Sequence, residues 1–160
     1  MDDFYSRFEN IVRRAYQFTE TEAERRQAQH PFDDRNIHQA LPDIVRQLFD
    51  DGHYSQATFE AFKFIDKEIQ RISASSETGY KLMMKVFTES FPTIQLTQTV
   101  TPSEKDEQKG YQFLFAGSIL AIRNPRGHEH SVKDSPDSCL DHLALASLLL
   151  RRLESAGYTI

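Results

Sequence analysis

The strongest helical pattern lies in residues 101–123, TPSEKDEQKGYQFLFAGSILAIR. Its first four residues have the Thr-x-x-Glu form of a capping box, with proline at the first helical position. Apolar side chains then recur three or four residues apart, as is typical of an amphipathic helix; they are Tyr111, Leu114, Phe115, Ile119 and Ile122. The pattern predicts a helix of about 22 residues. We expect it to end at or just after Arg123, because Asn124 precedes Pro125 and is disfavoured in helical dihedrals.

A second long helix is predicted to begin at Ser135. Ser135-Pro136-Asp137 combines a capping side chain, a proline and an acidic first turn. Leucines follow at helical spacing to Leu153, and Gly157 suits the end of the helix. Two long helices joined by about a dozen residues are expected to pack antiparallel. With apolar helices predicted at 43–50 and 55–73, they indicate an all-α fold with an antiparallel four-helix-bundle core.

The rest of the chain adds less regular elements to this core. Residues 80–91 predict a short helix, and residues 93–100 alternate enough in polarity to allow one short extended segment. Residues 1–41 predict an extra charged N-terminal helix followed by a linker rich in turn-forming residues. The expected domain division is therefore 1–41 for this helix and linker and 42–160 for the helical domain.

Composition limits the classes of function. The net charge of −5 over 160 residues argues against a surface coated in positive charge, although a local basic groove is compatible with it. The single cysteine excludes an internal disulfide and a cysteine-rich zinc site. We also expect no cofactor and no bound metal. No apolar run approaches the roughly 18 residues of a membrane span, and the N-terminus lacks a secretory pattern. The expected location is the cytoplasm, without membrane association.

Residues able to support chemistry concentrate in residues 123–130, RNPRGHEH. An arginine is always charged and can donate two hydrogen bonds to a phosphate, whereas a histidine gives or takes protons near neutral pH. Together they suit phosphodiester cleavage through the RNA 2′-hydroxyl, a route that needs no metal. We interpret Arg123 as the phosphate-binding electrophile and His128 as the general acid and base. The candidate supporting residues are Asn124, Arg126 and His130.

The spacing alone is weak evidence for such a site. With twelve arginines and six histidines in a chain of this length, about 0.5 matches to Arg-x4-His are expected by chance. Arg25 and His30 also fit the pattern. Arg123 could instead cap helix carbonyls or pair with an acid, and His128 could be an ordinary exposed loop histidine. Asn124 is interpreted as ending the helix and orienting the site. Arg126 and His130 are either substrate-side helpers or plain loop charges.

The context of the second match resembles the HEPN superfamily (higher eukaryotes and prokaryotes nucleotide-binding), whose members carry Arg-x4–6-His with a polar residue after the arginine. Here those positions are Arg123, Asn124 and His128. The chain is especially similar to a bacterial branch of mostly hypothetical proteins with an Arg-Asn-Pro-x-x-His motif. The similarity extends over roughly residues 42–155, and four segments carry it: 48–54 (LFDDGHY), 106–110 (DEQKG), 121–128 (AIRNPRGH) and 145–152 (LASLLLRR).

This resemblance implies a helical bundle of HEPN type that forms a homodimer and brings two Arg/His pairs to one composite cleft. It also implies metal-independent endoribonuclease activity on an RNA substrate, in toxin–antitoxin, abortive-infection or other antiviral defence systems, with an antitoxin or defence-system protein as partner. One departure concerns control of the enzyme. Some HEPN toxins carry a tyrosine that an antitoxin nucleotidylates, and His130 stands at that place here.

Two other functions stay open from the sequence. The acidic pI of about 5.7 and the lack of a second basic element favour a non-catalytic module that binds a nucleotide, RNA or protein. The leucine-rich residues 140–153 also allow a purely structural dimerisation domain.

Overall fold

The structure, a computed structural model, describes residues 29–129 and 131–160 together with Phe8, Ile11, Val12 and Ala15. The chain forms two compact units, Met1–Arg35 and Asn36–Ile160. In the first unit those four residues are helical, and the other residues of the predicted N-terminal helix, up to residue 28, lie outside the described residues. The predicted linker contains one helical turn, α1 (Pro31–Asp34), where the Phe32 amide donates to His30 Nδ1 over 3.1 Å.

The second unit consists of helices joined by turns and irregular segments. Their bounds are α2 (Asp43–Asp50), α3 (Tyr54–Ser73), α4 (Gly79–Val86), α5 (Pro102–Ser118), a π-helical turn (Ile119–Arg123), α6 (Asn124–His128) and α7 (Pro136–Ser155). No strand occurs among the residues that the structure describes, which confirms the predicted all-α class. Within the described ranges, no helix is both long and apolar enough to cross a membrane.

Helix α3 is the centre of this unit. Its Phe62, Ile65 and Ile69 are fully buried, and α2, α7 and the π-helical turn pack around it. Helices α5 and α7 run in opposite directions, as predicted, but α5 packs mainly on α4 and α7 mainly on α3. Near the C-terminal end of α7, Arg152 donates to Glu107 of α5 over 2.9 Å. The four predicted core helices are therefore present, and α7 packs most extensively on α3.

The helix that begins at Pro102 does not stop at Arg123, which corrects the sequence prediction. Backbone dihedrals stay helical at Arg123 (φ −69°, ψ −50°) and at Asn124 (φ −64°, ψ −44°). Proline lacks an amide hydrogen, and its ring would clash with the carbonyl four residues earlier in a regular α-helix. A π-helical turn, in which the Asn124 amide donates to the Ile119 carbonyl, widens the helix just before Pro125. His128 consequently ends a helical turn and does not lie on a loop.

The segment between α4 and α5 is irregular, so the extended segment allowed at 93–100 is not formed. A buried side chain from α5 organises it in place of a neighbouring strand. Gln108 Oε1 accepts from the Leu96 amide over 2.8 Å, and Gln108 Nε2 donates to the carbonyls of Phe87 and Ile94 over 3.2 and 3.0 Å. One amide thereby satisfies three backbone groups that would otherwise lack partners in the core.

Replacing Gln108 by alanine should destabilise the second unit. The change leaves three backbone groups without partners, and we expect the free energy of unfolding to fall by about 2–4 kcal/mol. Chemical denaturation followed by circular dichroism measures the difference. Gln98→Ala, at an exposed position of the same segment, is the matched control and should change stability by less than about 0.5 kcal/mol. Equal effects of the two changes would contradict this role for Gln108.

Candidate functional site

Arg123 lies at the end of the π-helical turn with its guanidinium against an aromatic ring. Its Cζ is 5.4 Å from the centroid of the Phe59 ring on α3, a cation–π distance. Nη1 donates to Asn124 Oδ1 over 3.1 Å. Nε is buried, and neither Nε nor Nη2 has a hydrogen-bond partner among the described residues. In that part of the chain Arg123 thus neither pairs with a carboxylate nor caps a carbonyl, the two structural roles that its sequence position allowed.

His128 is the last residue of α6, and its side chain is exposed. Asn124 and His128 are four residues apart in one helix, which places their Cβ atoms about 5–6 Å apart on the same face. Asn124 also accepts a hydrogen bond from Arg123, so it contacts one of the two predicted catalytic residues and shares a helix face with the other. His130 lies outside the described residues.

Arg126 is buried in an ion pair. Its side chain is 8% exposed, and that of its partner Asp134 is 4% exposed. Arg126 Nε donates to Asp134 Oδ2 over 2.7 Å, and Nη2 donates to the other carboxylate oxygen. Nη1 donates to the Ile122 carbonyl over 2.8 Å, and Nη2 lies 3.4 Å from His142 Nδ1. The guanidinium is therefore engaged within the fold, so the geometry supports a positioning role for Arg126 and not direct contact with a substrate.

The same ion pair fixes the loop that follows α6. The Asp134 amide donates to Ser55 Oγ over 2.8 Å, and Ser55 Oγ donates to the Val132 carbonyl over 3.0 Å. The loop is thus tied both to Arg126 and to the first turn of α3. Sequence reasoning missed Ser55 and Asp134 because their partners are distant along the chain, and no local pattern marks such a pair.

The buried pair sets the charge states around it. Burial alone would raise the pKa of Asp134, but the hydrogen bonds and charge of Arg126 outweigh it and hold the pKa below its usual range. Burial and then the charge of Arg126 lower the pKa of His142, against the opposing influence of Asp134 and Asp141. Asp134 is therefore ionised at neutral pH and His142 is uncharged.

The described residues contain no group of three or more His, Cys, Asp and Glu side chains placed to hold a metal ion. Asp134 and His142 come within 4.0 Å of each other, but both face the Arg126 guanidinium. The closeness of Asp134 and His142 is explained by their shared contact with Arg126.

Comparison with known proteins relates the chain to one family. A family model described as a protein of unknown function (Hypoth_ymh) matches residues 35–153. The chain belongs to the Hypoth_ymh family. The match includes every helix from α2 to α6, most of α7, and both Arg123 and His128. No curated protein and no solved structure matches this Hypoth_ymh protein. Its resemblance to the HEPN superfamily stays a prediction.

Removal of the carboxylate in Asp134→Ala should destabilise the second unit strongly. Loss of one partner leaves the buried Arg126 charge uncompensated, and we expect the free energy of unfolding at pH 7 to fall by about 3–5 kcal/mol. Because the folded pKa of Asp134 is lowered, its contribution is present above the unfolded pKa and is lost as pH falls through the folded pKa. The difference between wild type and variant should therefore shrink below about pH 4.

Urea denaturation at several pH values measures this difference. Glu89→Ala removes the carboxylate of an exposed pair with Lys109 and serves as the control. Its expected effect is below about 1 kcal/mol. A pH-independent difference for Asp134→Ala would show that its effect does not arise from the ionised pair.

Proposed function

We propose that this Hypoth_ymh protein is a metal-independent endoribonuclease of HEPN type. One observation carries the proposal: Arg123 presents a half-buried guanidinium without a carboxylate partner among the described residues, and Asn124 connects it to the face that carries the exposed His128. An unpaired cation of this kind suits the phosphate of a substrate. The neighbouring imidazole suits proton transfer near neutral pH.

The proposed reaction is an internal displacement within RNA. His128 accepts the proton of a 2′-hydroxyl, and the 2′-oxygen forms a bond to the adjacent phosphorus. The bond from phosphorus to the 5′-oxygen breaks, and that oxygen takes a proton from the protonated His128 of a second copy. Arg123 stabilises the negative charge that develops on the phosphoryl oxygens. The products are a 2′,3′-cyclic phosphate and a 5′-hydroxyl, with no net gain or loss of protons.

A second copy of the chain is the partner that this mechanism requires. Large apolar side chains are exposed along the helical segment that leads to Arg123: Phe113 of α5 is 55% exposed, and Leu120 of the π-helical turn is 48% exposed. Leu114 of α5 and Leu148 of α7 are also partly exposed. Burying such side chains against a symmetry mate is favourable, and the resemblance to HEPN proteins supports a homodimer with two Arg/His pairs in one cleft.

The biological setting follows from the same resemblance. We assign the protein to a toxin–antitoxin, abortive-infection or other antiviral defence system, acting on RNA in the cytoplasm. Single-stranded RNA is the favoured substrate, because an unpaired strand can rotate its 2′-hydroxyl into line with the leaving oxygen. An antitoxin or another defence-system protein is the proposed regulator.

A specific observation also favours a binding module as the second candidate. Asp134 neutralises Arg126, so the segment offers fewer free cations than its sequence suggested, and the whole chain carries a net charge of −5. Binding by such a surface relies on few phosphate contacts, so its affinity should fall only shallowly as the salt concentration rises. RNA that is bound but never cut by the purified dimer would favour this candidate.

The decisive change for the proposed function is His128→Ala. Wild-type protein incubated with mixed RNA in EDTA should release fragments ending in 2′,3′-cyclic phosphate. The variant should be slower by at least about 100-fold, because it lacks the proton-transfer group. Mass spectrometry of the fragment ends and gel analysis of the rates provide the measurement.

His53→Ala is the matched control, because His53 is also an exposed histidine at a helix end. It should cleave at the wild-type rate. Both variants should keep the wild-type melting temperature, since neither side chain is buried. Cleavage by His128→Ala at the wild-type rate would refute the assignment of this residue.

The dimer is tested by Leu120→Glu. A carboxylate placed within an apolar contact must be desolvated without a partner, so the variant should become monomeric. Light scattering coupled to size-exclusion chromatography measures the mass, and RNA cleavage should fall in parallel. Val100→Glu, at a position 74% exposed, should leave the dimer intact. A wild-type protein that is already monomeric while cleaving RNA would contradict the role of the second copy.

A further inference from the structure

Gly127 lies inside a helical turn where alanine would ordinarily be preferred. Glycine within a helix costs about 1 kcal/mol relative to alanine, so its presence there needs a reason. A Cβ atom at residue 127 would lie 2.8 Å from Phe59 Cε2, and 3.6 and 3.7 Å from two further ring carbons. At Gly110 and Gly117, also helical, an added Cβ would meet nothing within 4 Å. The close approach of the Phe59 ring therefore explains the glycine at position 127.

The Phe59 ring also lies against Arg123, at the other end of residues 123–128. Arg123 Cζ is 5.4 Å from the Phe59 centroid, so one side chain touches the arginine and the residue that precedes His128. Phe59 stands on α3, next to fully buried Phe62 and one turn after Ser55, which is hydrogen-bonded to the loop at Asp134. The part of α3 that carries Phe59 is thus anchored by buried Phe62 and by the hydrogen bond between Ser55 and the Asp134 amide.

We infer that Phe59 is a positioning residue that sets the distance and orientation between Arg123 and His128. The inference deepens the proposed ribonuclease function and rests on it for its chemical consequence. Phe59 fills the space between the core and the helical turn, and Gly127 lets that turn settle directly on the ring. A side chain at residue 127 must push the turn and His128 away from Arg123 or displace the ring that supports Arg123.

The experiment compares the purified full chain with the variants Gly127→Ala, Phe59→Leu and the combination of both. A displacement of catalytic groups by about 1 Å costs on the order of 100-fold in rate, so Gly127→Ala should lower kcat by about that factor with little change in KM. Leucine has no ε carbon and removes the clash. The double variant should therefore regain at least about tenfold in kcat over Gly127→Ala. Gly110→Ala is the matched control and should cleave as wild type.

A second measurement reads the geometry without relying on cleavage. In NMR spectra, Phe59→Leu should shift the Arg123 Nε–H resonance, because the ring current is lost. Gly127→Ala should shift the His128 Cε1–H resonance, and the double variant should return it towards the wild-type position. Gly110→Ala should move neither signal. These shifts support the positioning role even if the wild-type protein leaves RNA intact, an outcome that would sink only the proposed function.

The inference is overturned by either of two results. In the first, Gly127→Ala matches Gly110→Ala in both the His128 resonance and kcat. In the second, the double variant unfolds cooperatively on heating, but its His128 resonance does not return towards the wild-type position.

Discussion

The ion pair between Arg126 and Asp134 is the constraint on which the geometry of the site depends. It joins the helical turn after Pro125 to a loop that Ser55 also holds against α3. A buried ion pair is a weak source of net stability, because desolvation offsets most of the attraction, but breaking it leaves an uncompensated charge. Because both partners are buried, separating them is costly, and the pair ties the helical turn to the loop. This connection holds the turn between Arg123 and His128 against the core.

Satisfying one arginine leaves the other available. All three guanidinium nitrogen atoms of Arg126 are engaged, whereas Arg123 keeps Nη2 without a partner among the described residues and has its unpaired Nε buried. Two arginines only three residues apart thus differ in what they can offer to a phosphate. This local distinction matters more for the proposed chemistry than the net charge of −5, because a charge at contact distance acts through a lower effective dielectric than charges spread over the surface.

Glycine and proline shape this turn in ways that their usual roles do not suggest. Pro125 does not end the helix, since the π-helical turn before it supplies the room that its ring needs. Gly127 does not serve a left-handed conformation, since it lies in a helix and is explained by its contact with Phe59. Both features bring the backbone close to α3. The unusual backbone therefore coincides with the segment in which the candidate catalytic residues lie, which agrees with the frequent occurrence of π-helical turns at functional sites.

Local rules were sufficient for the all-α class, the capping box at Thr101 and the core faces of α3 and α7, because capping and apolar periodicity depend on residues within a turn or two of each other. The candidate pair Arg123 and His128 was also visible locally, although its spacing was weak evidence. Only the tertiary structure decided that the helix continues past Pro125 and that Gln108 takes the place of a strand partner for residues 93–100. It also decided that the Arg126 guanidinium pairs with Asp134 within the fold. These outcomes depend on burial and on partners distant in sequence, and helical periodicity carries no information about either.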